Sequence, residues 1–508
     1  MQQSTALLQT APSLAGVTWQ RPHRGAHPGL LLVLLVALLG GDVYSPRLDG
    51  SSRLGVSAHA WGRADSPAVT DPHVADLGDC PFLRIAVING VPYHYEVLAG
   101  LLHALRPYAD RTDVFLNPYT RAANSDGAWE ILRWSKARFV LLTRSAMASL
   151  AKKKPAYDLV ILVSPDYELD ANAALLRYIQ RRLTIAFVHN SDFNQTQRLI
   201  KVAAGTAAEL QSDSGRGSAL VNRRSSVVRV GSSGALEHTA AGVVVPADVR
   251  LVTLSPHTAA SLAEATNQPV EWMLAVYPFQ PRTDCLQATE VDLLGRCLRG
   301  FSMQGKFSNL RRNYSSIWRQ LQAHQTELTS GSAAPLFHIS LLGKGQGDRL
   351  GIPPELEPHV TMLRRLHFRT FYEAIHHTFA LIPALASSKY YSHKFSSTIL
   401  SSLISGTPMI ADRRFLAAYG MFNESEVYLQ REGEQEVDVM LRVLRSPVEG
   451  LLDVRRALLE LRQRLNVRAR LFLKRELEGL CAGGVGWRDR LTAGKGTTVG
   501  GGAGGQGG

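Results

Sequence analysis

A chain of 508 residues with 45% hydrophobic side chains is longer than one core can serve and divides into two domains plus appendages. Its net charge of +13 is carried by dispersed basic residues, such as Arg181-Arg182, Arg311-Arg312 and Arg364-Arg365. No RNA-binding aromatic motif, zinc-finger spacing or basic zipper accompanies them, so nucleic acid is not an expected partner, whereas anionic sugar nucleotides or anionic membrane surfaces fit the charge.

In chain order, residues 1–41 lack Asp and Glu and end in the apolar block Leu30–Leu39. That block is short for a membrane span and fits a signal peptide or a signal anchor, so the expectation is a secretory-pathway protein of the Golgi or ER, luminal or attached by a single membrane pass. Organelle targeting is the alternative. Residues 42–80 are rich in Gly, Ser, Asp and Pro and read as a stem.

From 81 to 280, short apolar runs at 83–89, 113–116, 139–143, 158–164, 183–189 and 250–255 alternate with helical patterns at 97–105, 128–135, 171–181 and 258–265. This is the signature of a parallel sheet covered on both faces. A Ser/Gly/Ala-rich stretch at about 205–247 breaks the rhythm and reads as a disordered insertion. A second alternating block runs from 300 to 447, with a polar insertion near 326–335. Helices at 448–480 follow, and the Gly-rich residues 481–508 read as a disordered tail. The fold class is therefore α/β, with two Rossmann-like halves. Four cysteines, Cys80, Cys285, Cys297 and Cys481, include no CxxC pair, which excludes the common zinc spacings; Cys285 and Cys297 suit a local disulfide or two buried thiols equally.

The first βα turn, Asn89-Gly-Val-Pro-Tyr-His94, lacks the dinucleotide fingerprint, and no Walker sequence is present. His94, Glu96, His189 and the Ser255-Pro-His257 turn lie at strand ends, where they suit hydroxyl recognition or proton transfer, or cap helices and satisfy the core. In the second block, Gly305-Lys306 and Gly343-Lys344 each follow a strand. Glycine lets a ligand approach the backbone and lysine supplies a point charge for phosphate. Residues 383–412 read as strand, hydroxyl-rich basic loop, helix, Gly406 stop and strand. His393, Lys394, Ser396 and Ser397 sit where a helix start offers free N–H groups to a phosphate.

In that order, Leu341-Leu-Gly-Lys-Gly345, Phe371-Tyr-Glu-Ala-Ile375, Ala380-Leu-Ile-Pro383 and Ser405-Gly-Thr-Pro-Met-Ile-Ala-Asp412 resemble the retaining GT-B glycosyltransferases of the large family that includes glycogen and sucrose synthases. The resemblance implies a GT-B-like fold with an acceptor half, a donor half and a cleft between them. It implies transfer of a sugar, with retention, from a nucleotide-diphosphate sugar to a glycan, lipid or protein hydroxyl, with no metal or further cofactor. It places His189 on the acceptor side, and Lys306 with Lys344 or Lys394 at the diphosphate. The family's two Glu positions fall on His393 and Ser401. Either the donor site is altered or it is lost, and the alternative reading is a non-catalytic glycan-binding or scaffold protein.

Overall fold

A computed structural model describes residues 80, 82–122, 125–165, 175–191, 245, 247–289, 292–330, 336–345 and 350–482. The expectations for residues 1–41, the stem before Cys80, nearly all of 205–247 and the tail beyond 482 lie outside the described residues.

Seven parallel strands form the first sheet: β1 (Ile85–Asn89), β2 (Thr112–Leu116), β3 (Arg138–Leu141), β4 (Ala156–Leu162), β5 (Gln180–Val188), β6 (Val249–Thr253) and β7 (Glu271–Trp272). Their order is β3-β2-β1-β4-β5-β6-β7. Strands β1 and β2 are buried at every position, as continuous apolar runs in a parallel sheet with two covered faces must be. The chain reverses its direction of sheet growth between β1 and β4. Such a switch point opens a crevice beyond the carboxyl ends of those strands.

The second sheet repeats the plan. Strands β8 (Phe301–Lys306), β9 (Ile339–Lys344), β10 (Val360–Arg364) and β11 (Ala380–Leu381) pair in the order β10-β9-β8-β11. A parallel bridge from Leu381 to Met409 leads on to β12 (Ile410–Ala411) and β13 (Tyr428–Leu429), which are also parallel. The second switch point therefore lies between β8 and β11. Two parallel α/β halves of this kind make the fold GT-B-like.

The helices used below are α1 (Tyr95–Ala104), α2 (Ala128–Leu132), α3 (Pro256–Thr266), α4 (Tyr314–Ala323), α5 (Phe368–His376), α6 (Ser397–Ser405), α7 (Arg413–Tyr419), α8 (Glu436–Leu444) and α9 (Val448–Ala482). Helix α1 lies against the 274–276 backbone so closely that a Cβ on Gly100 would come within 2.1 Å of the Ala275 carbonyl oxygen. Helix α9 crosses back to the first half. Asn466 bonds both the N–H and the carbonyl of Val276, Arg182 donates to the Leu480 carbonyl, and Cys481 is disulfide-bonded to Cys80. One apolar cluster runs from β1 and α1 through α5 and α6 to α9, so the halves share a core.

Several sequence expectations are corrected. Arg181 belongs to β5, whose start preempts the end of the helix expected over 171–181. The polar stretch after His324 begins with a helix, Gln325–Ser330. Cys481 and Ala482 end α9 and are not part of a tail. The apolar run 379–385 pairs over only two residues, because the chain turns into a loop. Glu96 lies in the first turn of α1 rather than in the preceding loop. The expected single-pass attachment and secretory-pathway placement are also corrected. Among the described residues no helix is long and apolar enough to cross a membrane, and α9, the longest, carries charges along its length.

Candidate functional site

The first-half wall of the crevice is built at the β1–β4 switch point. His94 caps α1 in the left-handed region, at φ 60°, a conformation that costs a non-glycine residue energy and holds its ring over the strand ends. The ring reaches Ser164, beyond β4, with 2.7 Å between Nδ1 and Oγ. It stacks on His189, beyond β5, with ring centroids 4.2 Å apart and planes 11° off parallel. His189 Nε2–H donates to the Val163 carbonyl at 2.6 Å. Burial pushes the His189 imidazole down to about 4. Burial, then the neighbouring His189, holds His94 well below the ordinary histidine range. Both rings are therefore neutral at pH 7. A positive charge on His189 disfavours one on the stacked His94.

Glu96, half-buried two residues on in α1, has its carboxyl pushed up by burial, opposed by its own backbone N–H and by the positive charge of Lys344. A carboxyl raised by burial suits proton transfer with a hydroxyl. His257 is occupied differently: its Nε2–H donates to the Lys394 carbonyl, and its ring packs edge-on against Tyr419. That makes it a contact between the halves.

The second-half wall gathers at the start of α6. Ser396 caps the helix, and its hydroxyl is buried without a hydrogen-bond partner. Ser397 is exposed and stands 3.5 Å from the Gln304 amide. The Lys394 ammonium lies 5.5 Å from the centre of the Tyr390 ring. Lys306 and Lys344 are paired residues at the ends of β8 and β9, both exposed. Lys344 forms an ion pair across the crevice with Asp126, from the short turn before α2. His393 bonds Ser392 through its ring, while its carbonyl accepts from both the N–H and the hydroxyl of Ser191. With Lys394 bridging Asn190 and Phe395 N–H donating to the His189 carbonyl, the 393–395 backbone zips onto the end of β5. Ser401 is buried within α6, four residues in.

Two glycines singled out from the sequence have a structural duty. A Cβ on Gly343 would fall 1.7 Å from the Gly305 carbonyl oxygen, so the close approach there is strand to strand. Gly305, at φ 132°, has backbone geometry that side-chain-bearing residues avoid, and a Cβ there would lie 3.2 Å from Arg312 Nη2.

Sequence reasoning missed Arg312, which is only 4% exposed. Its guanidinium donates to the Gln304 and Arg311 carbonyls and, at 2.8 Å, to the Thr398 hydroxyl in the first turn of α6. Gln304 donates to the same hydroxyl at 2.9 Å. No carboxylate pairs with Arg312 among the described residues; Tyr390 is a hydrogen-bonding neighbour whose ring centre lies 6.0 Å from the guanidinium, and Tyr314 is also near. A buried cation without a counter-ion is costly, by several kcal/mol. Here it lies beneath a helix N-terminus that already carries partial positive charge. Together they form a fixed positive field at the start of α6. The signal available in the sequence was only a doubled arginine six residues after Lys306.

No family model and no curated protein matches the sequence. Among solved structures, the chain is similar to HepE of Anabaena, in crystals with UDP and glucose, at 13% identity and a TM-score of 0.49, covering 78% of this chain and 99% of that one. It is similar to sucrose-phosphate synthase of Thermosynechococcus elongatus at 14% identity and a TM-score of 0.44, covering 79% and 100%. A glycosyltransferase of Rickettsia africae follows at 9% identity and 0.45, covering 78% and 98%. Likeness at this level carries none of their chemistry to this chain.

Proposed function

We propose that the protein is a glycosyltransferase that moves a sugar from a nucleotide-diphosphate donor to a hydroxyl, with the first half holding the acceptor and the second the donor. The observation that carries this reading is the buried Arg312, with no carboxylate partner among the described residues, under the start of α6 in the second half, while Glu96 and the stacked His94 and His189 stand near strand ends of the first. A diphosphate at the α6 N-terminus meets the first-turn N–H groups of Ser397 and Thr398, the Arg312 field and the side-chain charges of Lys306 and Lys394. These groups suit the charge that develops on a leaving nucleoside diphosphate. Across the crevice, Glu96 is the group for the acceptor proton, and the neutral His94 orients the hydroxyl through hydrogen bonding. Retention of anomeric configuration is carried by the family resemblance alone, and it requires the acceptor hydroxyl to approach on the face from which the diphosphate leaves.

The test is a panel of nucleotide sugars presented to the full chain, read by thermal stabilisation and nucleotide release. Stabilisation by at least one donor and by its free nucleotide diphosphate, abolished in Lys394→Ala, is expected. A folded protein that responds to none would overturn the reading. A second reading, a non-catalytic glycan-binding module, draws on one feature: Asp126 occupies Lys344, one of the lysines proposed for the donor. In that case glycans, and no nucleotide, stabilise the protein.

A further inference from the structure

The linker that joins β7 to β8 carries a second cluster of chemistry-bearing side chains, remote in role from the crevice. Cys285 opens a 3-10 turn at one end, and Cys297 closes the Leu293–Cys297 turn at the other. They are disulfide-bonded, with Cα atoms 5.7 Å apart, and both are almost wholly buried. His377, at the carboxyl end of α5, points its Nδ1 at the pair, 3.6 Å from each sulfur. The three ligand atoms lie within 4.8 Å of one another. In a tetrahedral zinc site, Zn–S of about 2.3 Å and Zn–N of about 2.0–2.1 Å set sulfur and nitrogen about 3.6 Å apart. His377 already stands at that distance from both sulfurs.

The other ring nitrogen is also prepared. Nε2 lies 3.5 Å from a Glu373 carboxylate oxygen, the outer partner that metal-binding histidines usually have. Glu373 is itself held by the Arg282 N–H at 2.9 Å.

We propose that Cys285, Cys297 and His377 form a thiol-switched site for Zn²⁺, closed as a disulfide in the oxidised protein and open to metal when reduced. Reduction by a dithiol breaks the S–S bond; two electrons and two protons pass to the cysteines and the reductant becomes a disulfide. Zn²⁺ then displaces the two thiol protons. At His377 the proton moves from Nδ1, where it is donated to the Cys297 carbonyl at 2.9 Å, to Nε2, where Glu373 accepts it. Water completes four-coordination. Two thiolates and an imidazole suit zinc over calcium or magnesium. Because the site ties the inter-sheet linker to α5, metal replaces the disulfide as the restraint on that linker.

The test uses the full chain with Cys80→Ser and Cys481→Ser, so that one cysteine pair remains, reduced with a phosphine and titrated with Co²⁺ and then Zn²⁺. One equivalent of Co²⁺ with thiolate-to-metal charge-transfer absorption, displaced by Zn²⁺, is expected only after reduction. Glu373→Gln should weaken Zn²⁺ binding by about 10–100-fold, and His377→Gln by more. Both variants keep the disulfide, so their folding is verified in the oxidised state. If the double-serine background fails to fold, wild type and His377→Gln are compared directly, since Cys80 and Cys481 are common to both. Absence of the charge-transfer band in reduced, folded protein, or equal affinity in wild type and His377→Gln, overturns the proposal.

Discussion

At the scale of single residues, two buried groups carry the account. Arg312 is hydrogen-bonded to two carbonyls, to the Thr398 hydroxyl and to Tyr390 but meets no carboxylate among the described residues, so Arg312→Met removes a buried charge that has no counter-ion there. Stability should stay level or rise slightly, as when buried ions give way to apolar groups, while affinity for a nucleoside diphosphate should fall about tenfold or more, given the strength of a charge acting through a poorly solvated interior. Calorimetric titration alongside thermal denaturation separates the two. His189 supplies a pH dependence. Its folded value, about 4, lies below the ordinary value of 6.5, so between those limits the unfolded chain binds more protons than the folded one. Stability contributed by the neutral ring is complete above about pH 6.5 and lost as pH falls toward 4. His189→Gln should flatten the melting-temperature profile across that window, and an unchanged slope would remove His189 from this role. The strand-end histidines were legible as candidates because each follows an apolar run. Their mutual stacking was not, since it depends on the β1–β4–β5 order. Arg312 was invisible for the same reason: its anchor, Thr398, is 86 residues away.

At the scale of elements, the βαβ unit around α6 was the most legible part of the chain. Its helix starts at Ser397 and stops where Gly406 takes a left-handed conformation, as the Ser-rich segment ending in glycine indicated. The serines do more than cap. Ser402 Oγ–H donates to the Thr407 carbonyl at 2.6 Å and Ser405 Oγ–H to the Ser401 carbonyl at 2.8 Å, which lets a hydroxyl-rich helix be buried. Less legible was the partner of each strand-end glycine. Gly343 reads from sequence as an opening for a ligand, yet it meets the Gly305 backbone across the β8–β9 pair. Gly343→Ala should therefore destabilise the second half by about 1–3 kcal/mol or more, through overpacking, seen as a lower denaturation midpoint even where no ligand is present. A variant as stable as wild type would show that the two strands can part.

At the scale of the whole molecule, alternating apolar runs disclosed two parallel sheets because strands covered on both faces need continuous hydrophobic sequence. The closure of the chain on itself was not legible. Cys80 and Cys481 are 401 residues apart, and only the return of α9 across the first half brings them together. Reduction should lower stability by about 2–5 kcal/mol, most of it from the long loop this bridge closes; Cys80→Ser should reproduce the larger share in a denaturant titration. The central claim is the one proposed above, that the positive field of Arg312 and the α6 start holds the donor diphosphate. Its most direct measurement is the binding of a nucleoside diphosphate to the full chain and to its Arg312→Met variant. The account predicts one saturable site in the wild type, weakened about tenfold or more in the variant, with both proteins folded. A folded wild type that binds no nucleoside diphosphate, or binds it as tightly without Arg312, would contradict it.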